Sequence, residues 1–109
     1  MDMQNQNTLQ KGSVRYVVFQ EQNAWYAAAL EFNIVVSGDD PQEVLILLLQ
    51  AINGYVKSAR KAKAQPHILN QIPEPEYERL WKANEILRQS TQEKKPVNIY
   101  SSGRVTIPV

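Results

Sequence analysis

Few side chains in this sequence have types suited to chemistry, and their spacing decides what chemistry that is. The only histidine, His67, stands between Pro66 and Ile68. A zinc-type shell needs three or four nitrogen or sulfur ligands, and no second histidine and no cysteine supply them. The same lack of cysteine excludes a thiol nucleophile and fits a reducing compartment, so the expected location is cytoplasmic. Asp39 and Asp40 are adjacent carboxylates of the kind that ligate hard cations. Pro41 and a helix-forming run follow them at once, however, and helix capping accounts for both. Ser58, Ser90, Ser101 and Ser102 have no base at a readable spacing, and no glycine-rich phosphate loop is present. No catalytic constellation results. The sequence therefore predicts a protein that is not an enzyme, with no metal and no cofactor.

Lys57, Arg60, Lys61 and Lys63 form the one concentrated basic patch, a candidate for contact with phosphates. Twelve Lys and Arg against eleven Asp and Glu give a net charge of +1, whereas nucleic-acid surfaces bring a broader basic excess. The patch reads first as the solvated C-terminal end of a helix, where cations favour the negative pole of the dipole. Trp25 and Tyr26 have no cation beside them, and Arg79 alone stands between Tyr77 and Trp81, so the four read as core or interface anchors rather than base-stacking platforms.

These residues are positioned by an ordered set of elements. The chain's 109 residues suffice for one domain with a real core. No apolar run approaches the roughly 20 residues needed to cross a bilayer. Residues 1–12 are polar and lack a secretory pattern, and are expected to be a flexible tail. Ser13 to Gln20, Trp25 to Leu30 and Asn33 to Ser37 read as strands separated by short polar breaks, which favours an antiparallel meander. A long helix follows from Asp39 to Arg60, with Asp40 as N-cap, Pro41 in the first turn and Glu43 at capping-box spacing. Leu45, Leu48, Leu49, Ile52 and Val56 make its apolar stripe, widened by Val44, Leu47 and Ala51.

The proline-punctuated segment from Ala64 to Glu74 reads as a linker. A second amphipathic helix then runs from Pro75 to Thr91, with Tyr77, Leu80, Trp81 and Leu87 on its stripe. That stripe is a natural cover for the spare face of the first helix. Val97 to Val109 reads as two strand-like runs around a Ser101-Ser102-Gly103 turn, forming a C-terminal ribbon. The expected fold class is α+β, a three-stranded antiparallel meander on a long helix with a second helix and the ribbon added. Residues 13–63 form the core unit, and 64–109 pack on it or on a neighbouring subunit. Leu47, Tyr77, Leu80, Trp81, Val105 and Ile107 are the candidate partner or oligomer interface, with a two-fold homodimer as the simplest assembly.

The first half also resembles the HicB-like antitoxin domain. The resemblance rests on the apolar strand Arg15-Tyr16-Val17-Val18-Phe19 and the aromatic-led strand Trp25-Tyr26-Ala27-Ala28. The step Gly38-Asp39-Asp40-Pro41-Gln42-Glu43-Val44 into the apolar helix completes it. It covers about Ser13 to Tyr55. Where that family commonly carries a proline- and glycine-containing loop, this chain has Leu30-Glu31-Phe32-Asn33. The resemblance implies a partial ribonuclease-H-like layer without catalytic carboxylates, acting by occluding a small ribonuclease toxin. The alternative expectation is a nucleic-acid-binding regulatory protein that uses the basic helix end and the C-terminal ribbon.

Overall fold

Strand β1 (Gly12–Glu21) carries valines and aromatics on both of its faces, and the architecture follows from that. In the computed structural model, which describes residues 7, 8, 11–89 and 99–107, Val14 and Val18 face one layer of helix and Val17 and Phe19 face another. A two-residue turn, Gln22 and Asn23, leads into β2 (Ala24–Ala29), with Glu21 paired to Ala24. Both turn residues have positive φ, 52° and 67°, the type I′ geometry whose twist matches that of the flanking strands. β3 (Ile34–Gly38) completes the meander. The sheet has four strands in the order β3-β2-β1-β4, all pairs antiparallel. The α+β class and the meander packed on a long helix hold as expected.

Helix α1 (Pro41–Lys61) starts as its sequence dictates. The Asp40 carboxylate accepts hydrogen bonds from the Gln42 and Glu43 amides at 2.7 and 3.1 Å, satisfying donors with no intrahelical partner. The Glu43 carboxylate reaches back to the Asp39 amide, one residue beyond the capping-box position. Asp40→Ala is therefore expected to lower stability by about 1 kcal/mol in urea denaturation. An unchanged midpoint would show that the cap contributes nothing.

The buried stripe of α1 is Val44, Leu48, Ile52, Val56 and Ala59, packed on Val14, Val18, Ala27 and Ala29 of the sheet. It is narrower than the sequence suggests. Leu49, expected on the stripe, and Leu47, expected to widen it, are 41% and 38% exposed. The stripe runs along the Val44–Ile52–Ala59 direction, which turns Leu47 and Leu49 to opposite flanks.

The second helix, α2 (Pro75–Gln89), corrects a further expectation. It does not cover α1. It lies on the opposite face of the sheet, where Trp81, Tyr77 and Leu80 pack with Val17, Phe19, Ala28, Leu30 and Ile99. The physical reason is the second apolar face of β1 and β2. Runs such as Val17-Val18-Phe19 and Ala27-Ala28-Ala29-Leu30 belong to strands covered on both sides. The result is a helix–sheet–helix sandwich. Leu87, expected on the α2 stripe, has its side chain outside the described residues, as do Val97, Asn98, Pro108 and Val109 of the expected ribbon.

The expected ribbon is instead one continuous strand, β4 (Ile99–Ile107), paired along β1. Ser101, Ser102 and Gly103 lie opposite Val18, Val17 and Tyr16, so no turn forms among them. The long edge of β1 gives β4 a template along its whole length, with one register shift between Val18 and Phe19, and backbone pairing wins over the local turn preference. Gly103 serves close approach: a Cβ there would stand 3.0 Å from the Tyr16 ring.

The segment between the helices is also better fixed than its composition suggests. It contains a 3-10 turn, Pro66–Leu69, with Leu69 fully buried in the α1-side core. Gln71 donates from its side chain to the Tyr55 hydroxyl and to the Ile68 carbonyl, at 2.8 and 2.9 Å. Its backbone amide donates to the Glu31 carbonyl. These bonds tie the crossing segment to α1 through Tyr55 and to the β2–β3 loop through Glu31, the end of the sheet it must round to reach the far face. Asn7, from the segment expected to be a tail, is buried. Its side-chain amide donates to the Leu69 carbonyl at 2.7 Å and its side-chain oxygen accepts from the Ser13 amide at 2.8 Å. Gly12 fits against it, since a Cβ there would fall 2.0 Å from the Asn7 oxygen.

Candidate interaction surface

Arg15 is the one charged residue in the middle of β1, and its side chain projects under α2. Its Nε donates to Glu31, while its two terminal nitrogens donate to the two carboxylate oxygens of Glu78 at 2.7 and 2.9 Å. The fork-to-fork geometry with Glu78 is the strong form of this pair. The guanidinium also stands 5.5 Å from the centroid of the Trp81 ring, and Arg104, opposite Arg15 in the sheet, stands at 5.6 Å from the same ring.

Burial works against the charge on Arg15, but the hydrogen bonds and charges of Glu78 and Glu31 outweigh it and hold the proton more tightly than usual. The hydrogen bond from Arg15 holds Glu78 below the usual carboxylate range against the opposing effect of burial, and the charges of Arg15 and Lys82 add to the lowering. This cluster clamps α2 and the β2–β3 loop onto β1, with both carboxylates committed to one cation, so it is structural. Cations distant in sequence thus gather at Trp81, which remains a core anchor at 8% exposure. The pointer was in the sequence: an arginine inside Val14-Arg15-Tyr16-Val17 must find partners when the strand is covered. A second polar peg joins α2 to β4, where the Asn84 side-chain amide donates to the Ser102 hydroxyl at 2.6 Å.

Among the expected interface residues, Trp81, Tyr77 and Leu80 pack on the α2 side of the sheet, and Val105 and Ile107 belong to the α1 side. Leu47 alone of the six is exposed at the surface. Beside it, Ile46 is 57% exposed and Leu49 41%, so the outer half of α1 presents three large aliphatic side chains to solvent. Ile46 and Leu49 share one flank with Gln42 and Asn53, and Leu47 shares the other with Ala51 and Gly54.

The basic patch sits at the C-terminal end of α1 and just beyond it, with Lys57, Lys61 and Lys63 exposed and Arg60 half-buried. His67 lies in the 3-10 turn and lines a cleft of about 340 Å³ with Asn7, Thr8, Gln65 and Pro66. None of those neighbours is a carboxylate or a second nitrogen ligand. Among the described residues no group of three His, Cys, Asp or Glu stands close enough to hold a metal ion. No helix among them is long and apolar enough to cross a membrane. Compared with protein-family models, with curated proteins and with solved structures, the chain gives no match.

Proposed function

We propose that this chain is a non-catalytic protein-binding module of the HicB antitoxin type, which occludes a small ribonuclease toxin in the cytoplasm and works as a homo-oligomer. The observation that carries the reading is the pair Ile46 and Leu49, large aliphatic side chains held at solvent on a rigid, well-capped helix. They leave apolar surface at solvent, Ile46 57% and Leu49 41% exposed, and side-by-side aliphatic exposure of this kind supports a surface covered by a partner. Gln42 and Asn53 beside them supply donors and acceptors for a polar rim. The strand-strand-strand-helix order agrees with the resemblance of the first half.

The test is calorimetric titration of the chain with the protein encoded by the neighbouring reading frame. One-to-one binding is expected, weakened at least about tenfold by Ile46→Asp, because a charge cannot be buried in an apolar contact without a partner. Denaturation of the same variant should be unchanged. Absence of binding, or equal binding by the variant, overturns the reading. Binding of RNA or DNA that falls steeply with salt, and that needs Lys57, Arg60, Lys61 and Lys63, favours the nucleic-acid alternative instead.

A further inference from the structure

Along the outer face of α1, Glu43, Leu47, Gln50, Gly54, Lys57 and Lys61 recur at alternating steps of four and three residues, the spacing of a helix–helix seam. All six are exposed. The seam has a negative end and a positive end, separated by about 27 Å of helix rise. Its centre has a glycine. Gly54 lies within α1, is exposed, and a Cβ added there would meet nothing within 4 Å. A glycine in a helix interior is unfavourable relative to alanine, and no contact among the described residues explains it. Close approach of another backbone does.

We propose that two copies of this chain pair antiparallel through this seam, Glu43 of each copy against Lys61 of the other and Gly54 opposite Gln50 at the crossing. The pairing is centred at the level of Ile52. Leu47 of each copy then falls level with the aliphatic stem of the other copy's Lys57. A two-fold axis makes both ends attractive at once, whereas a parallel arrangement would set like charges side by side. The helix dipoles also oppose each other favourably only in the antiparallel form. The inference builds on the reading of the outer face of α1 as a contact surface. It uses the Leu47 flank and leaves Leu49 free for a second protein.

The experiment is sedimentation velocity on the intact protein. The two-chain mass should appear between about 1 and 100 µM, the affinity range suited to a single helix pair. Glu43→Lys and Lys61→Glu should each weaken self-association at least about tenfold, because each sets like charges at both ends. An equimolar mixture of the two variants should restore it, since every facing pair is then unlike. Restoration cannot arise from the Glu43 bond to the Asp39 amide, which the Glu43→Lys copy lacks in both cases. Gly54→Tyr should keep its thermal midpoint or raise it and lose the two-chain mass.

A one-chain mass throughout the range overturns the pairing, as does a mixture no stronger than its components. A one-chain protein that still binds the toxin would overturn the pairing and the homo-oligomer with it, and leave the toxin-binding reading standing.

Discussion

Replacing Arg15 by methionine is expected to lower stability by about 2–4 kcal/mol at neutral pH, somewhat below the cost of breaking a fully buried pair. The reduction follows from residual exposure, since the Arg15, Glu31 and Glu78 side chains keep 17%, 20% and 23% of theirs. Methionine fills the space of the arginine stem, so the loss is one of charge and not of packing. Two carboxylates are left without their cation, and the ring of Trp81 keeps only Arg104 as its cationic neighbour among the described residues.

The pH dependence has a definite sign. Glu78 binds its proton less tightly in the folded protein than its ordinary value of 4.5 implies. Its ionised form therefore stabilises the fold above that value, and the contribution is lost as pH falls through the lower folded value. The gap between the parent and Arg15→Met should accordingly narrow in acid. Urea denaturation at neutral pH and in acid checks both statements. A gap that is constant with pH would mean that the cluster contributes through packing alone.

The second large effect is expected at Leu48. It is fully buried among Val44, Ile52 and the sheet, and Leu48→Ala should cost about 2–5 kcal/mol through lost contact and a residual cavity. Leu49→Ala, one residue along, should change stability by no more than about 0.5 kcal/mol, because Leu49 is 41% exposed. The two denaturation curves together read the orientation of α1. Equal losses at both positions would mean that the helix is rotated about its axis, so that Leu48 is not the buried residue.

Much of the fold is written locally. Asp40 and Pro41 announce the start of α1, the β-branched run of β1 announces a strand, and Gln22-Asn23 marks a tight hairpin. What eluded local reading depends on which surfaces meet. The spacing of Tyr77, Leu80 and Trp81 fits any apolar face, and only the two-sided hydrophobicity of β1 and β2 directs α2 to the far side of the sheet. Ser101-Ser102-Gly103 has turn chemistry, yet the open edge of β1 pulls it into a strand where Gly103 makes room for Tyr16. The Arg15 cluster joins residues 16 and 63 positions apart, a separation at which no short-range pattern speaks. For the candidate surface, the apolar excess of α1 was legible as an unusually wide stripe. Which of its leucines stay in solvent was settled by the angle at which the helix meets the sheet.

The most direct test of the binding account is the cleavage of labelled RNA by the protein of the neighbouring reading frame, titrated with this chain. Cleavage is expected to fall to background near one equivalent, with Ile46→Asp failing to suppress it at the same concentration. Undiminished cleavage in the presence of excess chain, or cleavage of the RNA by this chain alone, would contradict the account.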